Sequence, residues 1–124
     1  MHIIRVLLVD DSAAFLNASE SLLAGWPGIE VIGCFLSGVE AIEQVPLLRP
    51  DLVLVDLRMP GMDGLETTRN IKGGTEAPFV FVMTLHDEAG FREAAAAHGA
   101  DAFISKSDFR TRLRPLIEQV CIKP

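Results

Sequence analysis

The chain has only two cysteines, Cys34 and Cys121, in neither zinc-ligand nor redox spacing. They read as reduced, packed thiols, and with them a cytoplasmic protein is expected. His2, His86 and His98 lack metal-ligand spacing as well. No apolar run approaches the ~20 residues that a bilayer span needs. The N-terminal MHIIRVLLVDD ends its short apolar stretch in two aspartates, and nothing in it resembles a cleavage site. Positive charge is scarce: Lys and Arg number 11 against 17 Asp and Glu, for a net charge of −6. That balance disfavours direct nucleic-acid binding. There is no GxxxxGK or GxGxxG phosphate loop, and no internal repeat, low-complexity tract or long linker. What remains is 124 residues, 49% hydrophobic, with a mean hydropathy of +0.32. This composition argues against disorder and for one domain over residues 1–124.

The recurring pattern is an alternation of apolar runs and amphipathic segments. Ile3 to Val9, Leu52 to Val55 and Phe79 to Met83 are rich in β-branched residues and show no polar alternation. Such runs suit central strands of a parallel sheet covered on both faces. Val31 to Phe35 and Ala102 to Ile104 are weaker strands, expected at or near the edges. Between them lie helical stripes. Phe15, Leu16, Ser19, Leu22 and Leu23 mark the first, which Gly25-Trp26-Pro27-Gly28 stops. Val39, Ile42 and Val45-Pro46 mark the second, closed by Arg49-Pro50, and Leu65, Thr68 and Ile71 the third, ended by Gly73-Gly74. Phe91, Ala94, Ala95 and His98 form a fourth, with Gly99 placed for the left-handed position after it. Phe109, Leu113, Leu116, Ile117 and Val120 form a fifth. Five strands alternating with five helices predict a three-layer α/β fold. Pro115 interrupts the last pattern, which predicts a kink or a helix beginning near Arg114.

In open parallel sheets, ligands bind beyond the carboxyl ends of the strands. Asp10-Asp11 follow the first run, Asp56 the third, Thr84 the fourth and Ser105-Lys106 the fifth. Each alone suits a solvated strand end or a helix cap, the role expected of Ser12 and Asp63. Together they would bring three carboxylates, a hydroxyl and an ammonium to one edge. Clustered carboxylates repel and need a cation. All-oxygen ligation favours Mg²⁺, held by one or two carboxylates plus phosphate oxygens. A carboxylate beside Mg²⁺ and a lysine is placed to attack a phosphoryl group.

The segments VDDS (Val9–Ser12), LVDLRMPGMDG (Leu54–Gly64), the lone Thr84 and GADAFISKS (Gly99–Ser107) resemble the receiver domain of two-component response regulators. The likeness runs from about Ile4 to Val120, and is similar to receivers that precede helix-turn-helix output domains. It implies a flavodoxin-like (βα)5 fold with a five-stranded parallel sheet in the order 2-1-3-4-5. It also implies that Asp56 accepts the phosphoryl group, and that Asp10, Asp11, Asp56 and the backbone carbonyl of Arg58 hold Mg²⁺. Lys106 and Thr84 would contact phosphoryl oxygens, with Thr84 and Phe103 as the switch pair.

The partners implied are a histidine kinase or histidine phosphotransfer protein and an output domain or downstream protein. No membrane partner is expected, and a phosphorylation-dependent dimer is open. The receiver would catalyse only its own phosphorylation and slow dephosphorylation, either standing alone or as part of a longer transcriptional regulator. The family's usual proline after the lysine is Ser107 here, its common tyrosine is Phe103, and Leu85 is bulkier than the usual Ala or Gly. An aspartate-nucleophile phosphatase would carry a second carboxylate two residues after the nucleophile, where this chain has Arg58. A flavodoxin would need a Ser/Thr/Gly-rich phosphate loop where Asp10-Asp11-Ser12-Ala13 stand. A degenerate interaction module would lack a carboxylate or the lysine, and all are present.

Overall fold

The computed structural model describes residues 2–85 and 90–122. In chain order its elements are β1 (Ile4–Val9), α1 (Ala13–Ala24), β2 (Ile29–Phe35), α2 (Gly38–Leu48), β3 (Leu52–Asp56) and α3 (Gly64–Lys72). There follow β4 (Phe79–Thr84), α4 (Phe91–Ala97), β5 (Ala102–Ser105) and α5 (Phe109–Ile117). All four strand pairings are parallel, and the order is β2-β1-β3-β4-β5. The flavodoxin-like α/β architecture expected from the sequence is thus present, with the weaker strands β2 and β5 at the edges.

The absence of alternation in the apolar runs has its cause in two cores, one on each face of the sheet. Ile4, Val6, Leu8, Leu52, Leu54, Phe81 and Met83 pack under α1 and α5, against Leu16, Leu23, Leu113 and Ile117. Their neighbours Leu7, Val9, Val53, Val55, Val80 and Val82 point to the opposite face, against Ala41 of α2, Ile71 of α3 and Ala95 of α4. Each central strand therefore buries both its odd and its even side chains, as period-2 geometry requires of a sheet covered on both sides.

Local signals set the ends of the helices. Ser12, Ser37 and Asp63 accept from the backbone N–H three residues on, at 3.2, 3.2 and 2.9 Å, and so cap α1, α2 and α3. The Ser37 hydroxyl also donates to the Glu40 carboxylate at 3.3 Å, which ties the cap to the first turn. His98 faces the Ala94 carbonyl through Nδ1 at 2.7 Å, and Gly99 follows at φ 100°. The sequence placed both at the end of the fourth helix for these reasons.

Around Pro115 one of the two expected alternatives is excluded. The helix α5 does not begin near Arg114. A 3-10 turn over Lys106–Asp108 leads into a helix that starts at Phe109 and carries Pro115 in its interior. The buried stripe Phe109, Leu113 and Ile117 holds the helix together. Thr111, whose carbonyl loses its partner to the proline ring, is exposed, so water can solvate that group. After Ile117 the winding widens into a π-helical turn over Glu118–Ile122.

Candidate functional site

The parallel order puts β1 beside β3 and β3 beside β4, so their carboxyl ends share one edge. Asp56 is the last residue of β3 and pairs with Met83 across the sheet. Asp10 follows β1 directly, and its N–H donates to the Phe35 carbonyl at 3.0 Å. Asp10 and Asp56 are 1% and 5% exposed, whereas Asp11 faces solvent. One ligand oxygen from each of the three can be chosen so that all lie within 4.8 Å of one another. Among the described residues this is the one group of at least three such side chains that could hold a metal. Its donors are all hard oxygens, which fits Mg²⁺ or a similar ion and not a thiolate-preferring one.

Lys106 closes the cluster. Its Nζ lies 2.6 Å from Asp10 Oδ2 and 3.0 Å from Asp56 Oδ1, joining residues 96 positions apart in the chain. The other oxygen of Asp10 accepts from the Ser12 N–H at 2.9 Å, which fixes the plane of the carboxylate. Burial pushes the Asp56 carboxyl up to about 6, Asp10 and Asp11 push in the same direction, and Lys106 only partly opposes them. For Lys106, burial works against the charge, but the hydrogen bonds and charges of Asp10 and Asp56 outweigh it and raise the ammonium's pKa. Three carboxyl groups thus share this edge with one ammonium.

The loop after Asp56 is pinned from both sides. Leu57 N–H donates to the Met83 carbonyl at 2.7 Å, and Gly64 N–H to the Leu57 carbonyl at 2.9 Å. A Cβ on Gly64 would overlap the Asp56 carbonyl and the Leu57 Cα, so only glycine lets α3 start this close to the strand end. Arg58 is exposed and lays its guanidinium over the Phe91 ring at 5.0 Å, beside a cavity of about 400 Å³. Thr84, 2% exposed, ends β4 next to Ser105 of β5. Phe103 is 8% exposed, with the Arg92 guanidinium 5.1 Å from its ring centre.

Asp10, Asp11, Asp56, Arg58, Thr84 and Lys106 thus follow or end strands at the carboxyl edge of the sheet, and Phe103 lies within β5, two residues before its end. Leu85 is exposed beside Thr84, and His86, considered above for metal spacing, lies outside the described residues. Sequence reasoning missed Phe15, which it read as one member of an apolar helical stripe. Its ring stands 4.2 Å from Lys106 Nζ. No signal in the sequence distinguishes that role, because the contact crosses from α1 to the far end of the chain.

The family model described as the response regulator receiver domain matches residues 6–118. Curated relatives include a protein-glutamate methylesterase/protein-glutamine glutaminase of Methanosarcina acetivorans, 39% identical over 105 residues. Its counterpart in Koribacter versatilis is 42% identical over 105 residues. The matches cover 84% and 83% of this chain but 30% and 29% of those proteins, so the chain spans about a third of their length. Among solved structures, the response regulator domain of Thermotoga maritima CheB superposes with a TM-score of 0.89 at 27% identity, covering 99% of both chains. A LuxR-family two-component response regulator from Aurantimonas gives 0.91 at 29% identity, covering 97% of this chain and 86% of the other. The strand order, the acidic edge and the matched residues lead to one assignment: the chain belongs to the response regulator receiver domain family.

Proposed function

We propose that the protein is a phosphorylation switch whose phosphoacceptor is Asp56, loaded by a histidine kinase or histidine phosphotransfer protein. The observation that carries this reading is the Lys106 bridge between Asp10 and Asp56, with Asp11 beside it. A carboxyl with a pKa of about 6 is mostly ionised at neutral pH and can act as the nucleophile. One Asp56 oxygen attacks the donor's phosphorus, the bond from phosphorus to the donor's nitrogen or oxygen breaks, and the leaving group takes the electron pair. The product is an aspartyl phosphate. Lys106 balances a phosphoryl oxygen as a point charge, and the Thr84 hydroxyl donates to another.

Asp10, Asp11, Asp56 and the Arg58 backbone carbonyl would hold Mg²⁺, which supplies countercharge for the transferring group. Hydrolysis returns the carboxylate slowly, and the chain acts as its own catalyst only. The readout is a protein surface. Thr84 drawn toward the phosphate leaves room into which Phe103 turns, and packing carries this to α4, β5 and α5.

Residues 1–124 act as one receiver unit in the cytoplasm, alone or joined to an output domain, with no direct nucleic-acid contact of their own. No described helix is long and apolar enough to cross a membrane. A small acyl phosphate with Mg²⁺ should add one phosphoryl group, seen by mass, and shift NMR signals around Phe103 and α5. Asp56→Asn and excess chelator should each abolish labelling. Equal labelling of Asp56→Asn refutes the assignment, full labelling in chelator refutes the metal role, and shifts confined to the loop around Asp56 refute the coupling.

A further inference from the structure

The Lys106 ammonium has a third neighbour that carries no charge. Its Nζ lies over the Phe15 ring, 4.2 Å from the centroid, in addition to its contacts with Asp10 and Asp56. That is well inside the ~6 Å within which an aromatic face attracts a cation. Phe15 is the third residue of α1, directly after the acidic loop. Phe109, 4% exposed at the start of α5, meets it edge-on with centroids 5.4 Å apart at 66°. The ring is therefore packed against Phe109 while the ammonium lies over it. Two other readings exist for a phenylalanine here. It packs at the margin of the core, yet it is only half-buried where Leu16 and Leu23 of the same helix are 5% and 0% exposed. It could be an incidental surface ring, yet it meets both Phe109 and the Lys106 ammonium.

We propose that Phe15 is a positioning residue for Lys106, and that its ring keeps the ammonium at the site when the carboxylates are engaged elsewhere. The inference rests on the role given to Lys106 above. Lysine ends in a compact charge on a flexible four-carbon stem. Its two partners in this structure are also the groups that a divalent cation or a transferred phosphoryl group would claim. The ring competes for neither. It leaves Nζ free to pivot from a carboxylate oxygen to a phosphoryl oxygen without leaving the edge of the sheet.

The test compares Phe15→Leu, which keeps apolar bulk but has no aromatic face, with Phe15→Tyr, which keeps the face. The initial rate of Asp56 phosphorylation is followed with acetyl phosphate and Mg²⁺, in wild-type and Lys106→Met backgrounds. Phe15→Leu should slow labelling about three- to tenfold, and Phe15→Tyr should restore it to within about twofold. In the Lys106→Met background, Phe15→Leu should change nothing further, because residues acting through one group are not additive. A second readout is independent of phosphorylation. The Lys106 ε-methylene protons should be shifted upfield by the ring in the wild type and in Phe15→Tyr, and lose that shift in Phe15→Leu. A wild-type rate in Phe15→Leu would overturn the inference, as would a loss of equal size in the Lys106→Met background. Lys106→Met labelling at the wild-type rate would instead remove the underlying reading of Lys106. The methylene shift tells those failures apart.

Discussion

Replacing Asp56 by asparagine should make the protein more stable at neutral pH, and less so as the pH falls. Asp56 is 5% exposed, and its carboxyl is raised from 3.8 to about 6, first by burial and then by Asp10 and Asp11. A carboxyl that is harder to ionise in the native state than in the unfolded chain costs stability once it is ionised. Below about pH 4 both states hold the proton and there is no penalty. Between that and pH 6 the native state keeps its proton while the unfolded chain has lost it. Above pH 6 the penalty is complete.

A rise of roughly two units corresponds to about 3 kcal/mol at ~1.36 kcal/mol per unit. Asparagine gives Lys106 a weaker partner than a carboxylate, although the 2.6 Å bond to Asp10 is retained, so the net gain should be about 1–2 kcal/mol. For a chain of this size that is a rise in melting temperature of about 4–8 °C. Urea unfolding of both proteins in chelator at pH 7.5 and pH 4.5 measures it. A variant no more stable than the wild type at pH 7.5 would refute the argument. So would a gap of unchanged size at pH 4.5.

Gly64→Ala should cost about 2 kcal/mol or more and slow phosphorylation, because the added methyl overlaps backbone atoms of Asp56 and Leu57 that cannot yield cheaply. A variant with full stability and full labelling rate would show that the loop accommodates it. If the hydrolytic water enters past Leu85, which is 66% exposed next to Thr84, Leu85→Ala should shorten the life of the phosphorylated protein about two- to fivefold. The decay is followed with Mg²⁺ present and the donor removed, and an unchanged or slower decay would mean that this side chain does not set access.

The sequence alone carried the architecture, because a sheet covered on both faces leaves a mark that local reading detects. In β1, β3 and β4, apolar residues occupy both parities, and this happens when neither face meets water. It also carried the candidate site. In a parallel sheet every strand ends at the same edge, so residues that follow the runs gather there, and the strand order decides which of them are neighbours. The caps at Ser12 and Asp63 were legible for a similar reason: the interaction spans three residues and depends on little else.

What needed the tertiary structure was everything that depends on contact between distant segments. Pro115 sits within α5 because the buried stripe Phe109, Leu113 and Ile117 outweighs one lost hydrogen bond on an exposed face, a balance that local propensity cannot contain. The raised pKa of Asp56 comes mainly from burial, a property of the whole packed edge. The placement of Phe15 over Lys106 joins the beginning of the chain to its end. Periodicity shows which face of a helix is apolar, but only the folded arrangement decides which atom that face meets.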